Sequence, residues 1–180
     1  MTEALDQSGE VRQAVAALKA LIGKLSPGAV RVVQEKWSGE IAQDEYSNYP
    51  VLWEIHIDPA NENACPIGVC ISCDEDQELT YSLMFDSRAA VQARLGLRVT
   101  EREPRIIGFG IEPTETSLDF VLKILESVFR GYVSIRYIPL GGFLADMMGE
   151  VDTGEGIERF GGGALISYFL GERFQYEPWT

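Results

Sequence analysis

Between residues 9 and 25, Val11, Ala14, Val15, Leu18, Leu21, Ile22 and Leu25 recur at intervals of three and four, which lines one face of an α-helix with apolar side chains. Ser8 can cap its start, and Ser26-Pro27-Gly28 stops it. The period then shortens. Ala29 to Trp37 reads as a strand with imperfect alternation, and the polar, turn-rich stretch from Ser38 to Pro50 reads as a loop. In VLWEIHID, Val51, Trp53, Ile55 and Ile57 fall on one face and Leu52, Glu54, His56 and Asp58 on the other, the period of two that marks a half-buried strand. IGVCISC, from Ile67, is nearly all apolar and predicts a strand buried on both faces. LTYSLMF puts Leu79, Tyr81, Leu83 and Phe85 on one side, and the polar link DEDQE before it is short enough for an antiparallel hairpin.

A short helix is predicted from after Ser87 to Gly96, packing through Ala89, Ala90, Ala93 and Leu95. RIIGFGI, from Arg105, reads as a strand ended by Pro113 and Thr114. The strongest helical pattern runs from Ser117 to Arg130, with Leu118, Val121, Leu122, Leu125, Val128 and Phe129 as its stripe and Gly131 as its stop. YVSIRYI follows from Tyr132 as a strand. Beyond Pro139 the pattern loses definition: GGFLADMMGEV is compatible with a helix or a loop, and DTGEGIERFGGG has the composition of turns. ALISYFL, from Ala164, is too short to separate a strand from a helix by its period. This order of elements predicts an α+β fold: a single domain over residues 1–180, built on a largely antiparallel β-sheet with two main amphipathic helices packed on one face.

Composition fits such a domain and narrows its partners. The chain is 46% hydrophobic and carries no internal repeat or stretch of about 20 apolar residues. Its acidic start, MTEALDQSGE, lacks the basic and apolar regions of a signal peptide. A cytoplasmic, reduced setting is therefore expected, consistent with an odd and clustered set of three cysteines. The net charge of −13 argues against nucleic acid and against anionic membranes, which both attract basic surfaces. Between Trp37 and Ser87 there are eleven Asp and Glu residues and not one Lys or Arg.

The three cysteines sit in CPIGVCISCDED with the spacing C-x4-C-x2-C, the opening of a plant-type ferredoxin pattern. That pattern needs a fourth, downstream thiolate, and none follows Cys73. In an extended strand Cys70 and Cys73 point to opposite faces and cannot share a metal. They are expected to pack as small hydrophobes, and no cofactor is expected. The lone histidine is more open to chemistry. Glu54, His56 and Asp58 share one strand face, and a histidine between carboxylates can ligate a divalent metal or act as a general base. A solvated strand face produces the same pattern. Nucleophile and phosphate-binding motifs are absent: there is no G-x-S-x-G, no Gly-Lys-Ser or Gly-Lys-Thr, and no third glycine to complete the GFG at Gly108. No catalytic residue is assigned.

The remaining signal is a mixture of aromatic and acidic residues. Asp44, Glu45, Tyr46 and Tyr49 precede the strand bearing Glu54, His56 and Asp58, and Asp74, Glu75, Asp76 and Glu78 surround the next hairpin. Tyrosines supply contact area at small entropic cost, and acids attract a basic surface over distance. The expectation is a protein-binding module for a basic partner, most concretely an immunity or inhibitor protein that neutralises a toxin domain. The alternative is a divalent-metal-dependent enzyme or small-ligand binder using Glu54, His56 and Asp58. The C-terminal GERFQYEPWT repeats the aromatic and acidic mixture in Phe174, Tyr176, Glu177 and Trp179, where packing at the core edge is the simpler expectation.

Overall fold

The computed structural model describes residues 9–38, 50–73, 78–85, 88–98, 117–160 and 169–180. Helix α1 spans Gly9–Ile22 and buries Val11, Ala14, Val15, Leu18 and Leu21, the stripe its spacing predicts. Strands β1 (Val30–Trp37), β2 (Val51–Pro59), β3 (Ile67–Cys73) and β4 (Leu79–Phe85) form a four-stranded antiparallel meander in sequence order. Helix α2 is Arg88–Arg94 and helix α3 is Leu118–Phe129. Strands β5 (Val133–Leu140), β6 (Phe143–Asp152), β7 (Ile157–Phe160) and β8 (Glu172–Gln175) make a second antiparallel sheet in the order β7-β6-β5-β8. The fold is thus α+β with antiparallel pairing within both described sheets, but the strands divide between two sheets instead of entering one. The strand expected at 105–111 and most of the ALISYFL stretch lie outside the described residues.

Local chemistry accounts for the boundaries. Ser117 caps α3 by accepting a hydrogen bond at Oγ from the Phe120 N–H, and Gly131 ends it at a φ of +77°. The stripe of α3 differs from its prediction: Ile124 joins the buried face, while Leu118 and Leu122 are only partly buried. Helix α2 turns another way than its alanines suggest. It buries Val91 and Gln92 and leaves Ala93 exposed, because burying a valine removes more apolar surface than burying an alanine. The stretch after Pro139 is neither helix nor loop but strand β6, joined to β5 through Gly141 and Gly142, whose φ angles of 60° and 86° suit a two-residue hairpin turn.

Buried residues of both sheets and of the helices belong to one cluster running from Val11 to Trp179. Helix α3 touches α1, β4 and β6, so it lies against both sheets. Phe85 of β4 stacks on Phe160 of β7 with ring centroids 4.1 Å apart, a second tie between the sheets. The C-terminal tail closes the structure. The Trp179 ring packs on Phe129 while the Trp179 backbone N–H donates to the Phe129 carbonyl, and the Glu177 backbone N–H donates to the Asn63 carbonyl. Burial of one such aliphatic or aromatic side chain contributes about 1.5–3 kcal/mol. A surface pair such as Lys123–Glu155 contributes at most about 1 kcal/mol. The core, not surface pairing, holds the elements together.

Candidate functional site

Strand β2 lies between β1 and β3, and its polar face carries the three residues that the alternation singles out. The burial of β2 alternates from Trp53 onward, with Trp53, Ile55 and Ile57 inside and Glu54, His56 and Asp58 half-buried on the outer face. Leu52 departs from that alternation and is fully buried, next to an irregularity in the β2–β3 register between Val51 and Trp53. Cross-strand pairing then fixes the neighbours. Lys36, Glu54, Cys70 and Ser82 form one row across the sheet, and Gln34, His56, Gly68 and Met84 form the next. Gly68 is needed in the second row: a Cβ there would lie 2.8 Å from Met84 Cε and 3.0 Å from His56 Nδ1. The His56 ring and the Met84 thioether therefore close over the glycine.

The ion pairs of this face run largely within it. Glu54, with a side chain only 14% exposed, meets Lys36 Nζ at 3.1 Å and His56 Nε2 at 3.9 Å. Asp58 lies 3.9 Å from Arg31, which also reaches Glu62 at 4.0 Å. The row Glu54–His56–Asp58 exists as predicted, yet its outer members each turn toward a cation of β1. Among the described residues no three His, Cys, Asp or Glu side chains are grouped to hold a metal ion. On the opposite side of the sheet, Glu35 Oε1 accepts from Trp53 Nε1 and meets Lys19 of α1 at 2.7 Å. Burial raises the Glu35 carboxyl, but the hydrogen bonds from Lys19 and Trp53 and the Lys19 charge outweigh it and hold the group below its usual value.

Glu78 is placed elsewhere. At the start of β4 it lines a groove with Glu10, Gln13 and Ala14 of α1, Tyr81 and Leu118. Asp44, Glu45, Tyr46, Tyr49, Asp74, Glu75 and Asp76 lie outside the described residues. Of the C-terminal aromatics, Tyr176 and Trp179 are core residues.

The cysteines do not converge. Cys73 faces the core opposite Leu79, Cys70 faces outward between Glu54 and Ser82, and Cys65 precedes β3; none forms a disulfide. Burial pushes the Cys70 thiol up to about 12, and the neighbouring Glu54 carboxylate adds to the shift. At pH 8 the thiolate is then about one part in ten thousand. Alkylation of Cys70 in the folded protein is expected to be at least about 100-fold slower than in urea, and faster again in Glu54→Gln, as read by mass spectrometry. Equal rates in native and unfolded protein would sink the assignment. Because its pKa is raised on folding, this thiol supports the fold fully below about 9, and the support is lost as pH rises toward about 12.

The residues that pattern reading overlooked lie on the second sheet. Glu150 of β6 is buried between Arg136 of β5 and Arg159 of β7. Their shared face was illegible while 140–160 had no assigned period, although the Gly-Gly pair before Phe143 is itself a hairpin signal. Neither a family model, nor a curated protein, nor a solved structure matches the chain.

Proposed function

We propose that this protein is a binding protein whose first sheet and its connecting loops engage a basic protein partner, in its most concrete form as an immunity or inhibitor protein that occupies the active site of a toxin domain. One observation carries this reading: the span from Trp37 to Ser87, which holds no Lys or Arg, supplies strands β2, β3 and β4 of a single sheet, with Glu54, Asp58, Glu62 and Glu78 among its described acids. From Val30 to Ser87 the sequence holds Glu35 and eleven acids after Trp37 against only two Lys or Arg residues, Arg31 and Lys36. Both sit on β1, and both are engaged by Glu54, Asp58 and Glu62. The meander therefore has few cations of its own to offset the remaining carboxylates, and a cationic surface would be attracted to it and accelerated in its approach. The internal pairing of Glu54 reduces its role in such contact, so Asp44, Glu45, Asp74, Glu75 and Asp76 carry most of the expected attraction.

The test uses the whole chain as bait in extracts of its own cells. A strongly basic polypeptide is expected to be retained at low salt and released at high salt. With Asp74, Glu75 and Asp76 all changed to Lys, its affinity should fall at least about tenfold, while Glu126→Lys on α3 leaves it unchanged. Equal binding by the triple variant would remove the acidic sheet from the interface. The toxin form predicts in addition that the partner, expressed alone, arrests growth and that co-expression of this chain restores it; a harmless partner excludes that form.

A further inference from the structure

Where α1, β4 and α3 meet, a groove of about 500 Å³ opens at the surface. Ala14 and Tyr81, both buried, form its floor, and the half-buried Leu79 and Leu118 form its sides. Glu10, Gln13 and Glu78 stand exposed at its rim, and no Lys, Arg or His is among these lining residues. Glu78 has an interaction of its own, so Glu10 carries the charge considered for a ligand. Tyr81 gives a second and independent sign. It is 8% exposed, yet among the described residues no hydrogen bond engages its hydroxyl, although a polar group this deep is normally paired. Among the described residues Trp179 Nε1 is the one fully enclosed polar side-chain atom without a partner. The Tyr81 oxygen therefore keeps an opening, and the recess that Tyr81 lines is this groove. Burial pushes its phenol up and the Glu10 carboxylate adds to the shift, which places the hydroxyl within electrostatic reach of Glu10.

We propose that this groove receives a lysine side chain of the basic partner, an inference that rests on the reading of this protein as one that binds such a partner. The ammonium meets Glu10, with the Gln13 amide oxygen and the Tyr81 hydroxyl oxygen as its other acceptors, and the stem lies between Leu79 and Leu118. Donor chemistry selects the class. An ammonium carries three donors and no acceptor, and its four-carbon stem is at home against apolar sides. The acceptors come from two elements, α1 and β4, and surround a compact charge more readily than they match the planar fork of a guanidinium. An anion would meet carboxylates with no cation in the lining. The starts of α1 and α3 each bring roughly half a positive charge, but each helix has an acid in its own first turn, Glu10 and Asp119, and Glu78 adds a third. The groove also continues the expected interface along the chain, since Glu78 directly follows the turn that holds Asp74, Glu75 and Asp76.

Butylammonium, which reproduces the end of a lysine side chain, is titrated into the full chain and followed through the backbone amide resonances of Ala14, Tyr81 and Leu118. Saturable shifts with a dissociation constant in the millimolar range are expected, with none from butyrate and at least about tenfold weaker binding of 1-butanol. Glu10→Gln should weaken butylammonium at least about tenfold, and Tyr81→Phe, which keeps the ring and the packing, at least about threefold. Both variants should also retain less of the basic polypeptide from cell extracts than the unaltered chain does. No saturable shift with butylammonium, or equal binding of 1-butanol, would overturn the groove. Undiminished retention of the partner by both variants would overturn it too, while leaving the partner reading intact. Recovery of no basic polypeptide by the unaltered chain would overturn both, and is thereby told apart from a groove that fails alone.

Discussion

Replacing Gly131 with alanine is expected to destabilise the protein by about 3 kcal/mol and to loosen its C-terminal tail. Two costs coincide at this position. The residue holds a φ of +77°, which disfavours any side chain. Its Cβ would also lie 2.6 Å from the Pro178 nitrogen and 2.9 Å from the Glu177 carbonyl carbon. Both are main-chain atoms and cannot swing aside as the end of a side chain can. The tail they belong to is bound on either side: Gln175 Nε2 donates to the Gly131 carbonyl, Tyr176 N–H to the Val133 carbonyl, and Trp179 N–H to the Phe129 carbonyl. A lower urea midpoint together with faster hydrogen exchange at Tyr176 and Trp179 is the expected signature. A midpoint shift without change at those amides would mean that the tail does not seal this turn.

Gly149→Ala is expected to cost about 3 kcal/mol for a different reason, with no unusual backbone angle involved. Gly149 pairs with Phe160 across β6 and β7, and a Cβ at Gly149 would fall within the van der Waals envelope of the Phe160 ring. That ring is 4% exposed and is stacked on Phe85, its planes inclined by only 17°. To admit the methyl it must break the stack that links the two sheets. A double-mutant cycle separates this from general strain. Phe160→Ala removes the obstacle, so the double variant should be more stable than the sum of the two single losses predicts, by at least about 1 kcal/mol. Additive losses would show that the ring does not limit the space at Gly149.

The same two glycines mark the boundary of what pattern reading can reach. Gly131 was legible as a helix stop because Leu118, Val121, Leu125, Val128 and Phe129 precede it at helical spacing. Its contact with Pro178, 47 positions away, was not, since nothing local to either residue refers to the other. The row Glu54, His56 and Asp58 was likewise legible as a shared face, because alternation is a property of one strand. Its pairing with Lys36 and Arg31 depends on the β1–β2 register, which alternation alone leaves open. The cysteines follow the same division. Their failure to converge follows from strand parity, whereas the raised Cys70 thiol reflects its burial in the folded sheet and, in smaller part, Glu54 as a cross-strand neighbour.

Periodicity and turn chemistry by themselves determined the α+β class, helices α1 and α3, strands β1 to β5 and the acidic character of the first meander, because each is set by residues within about a turn or a strand of one another. Tertiary structure alone decided the division into two sheets, the seating of the tail against Gly131, and the gathering of Arg136, Arg159 and Arg173 around Glu150 and Ser134. Those arrangements bring together residues far apart in sequence, Ser134 and Arg173 by 39 positions and Gly131 and Pro178 by 47, and only packing and strand pairing select such contacts, since every local preference is satisfied equally well without them.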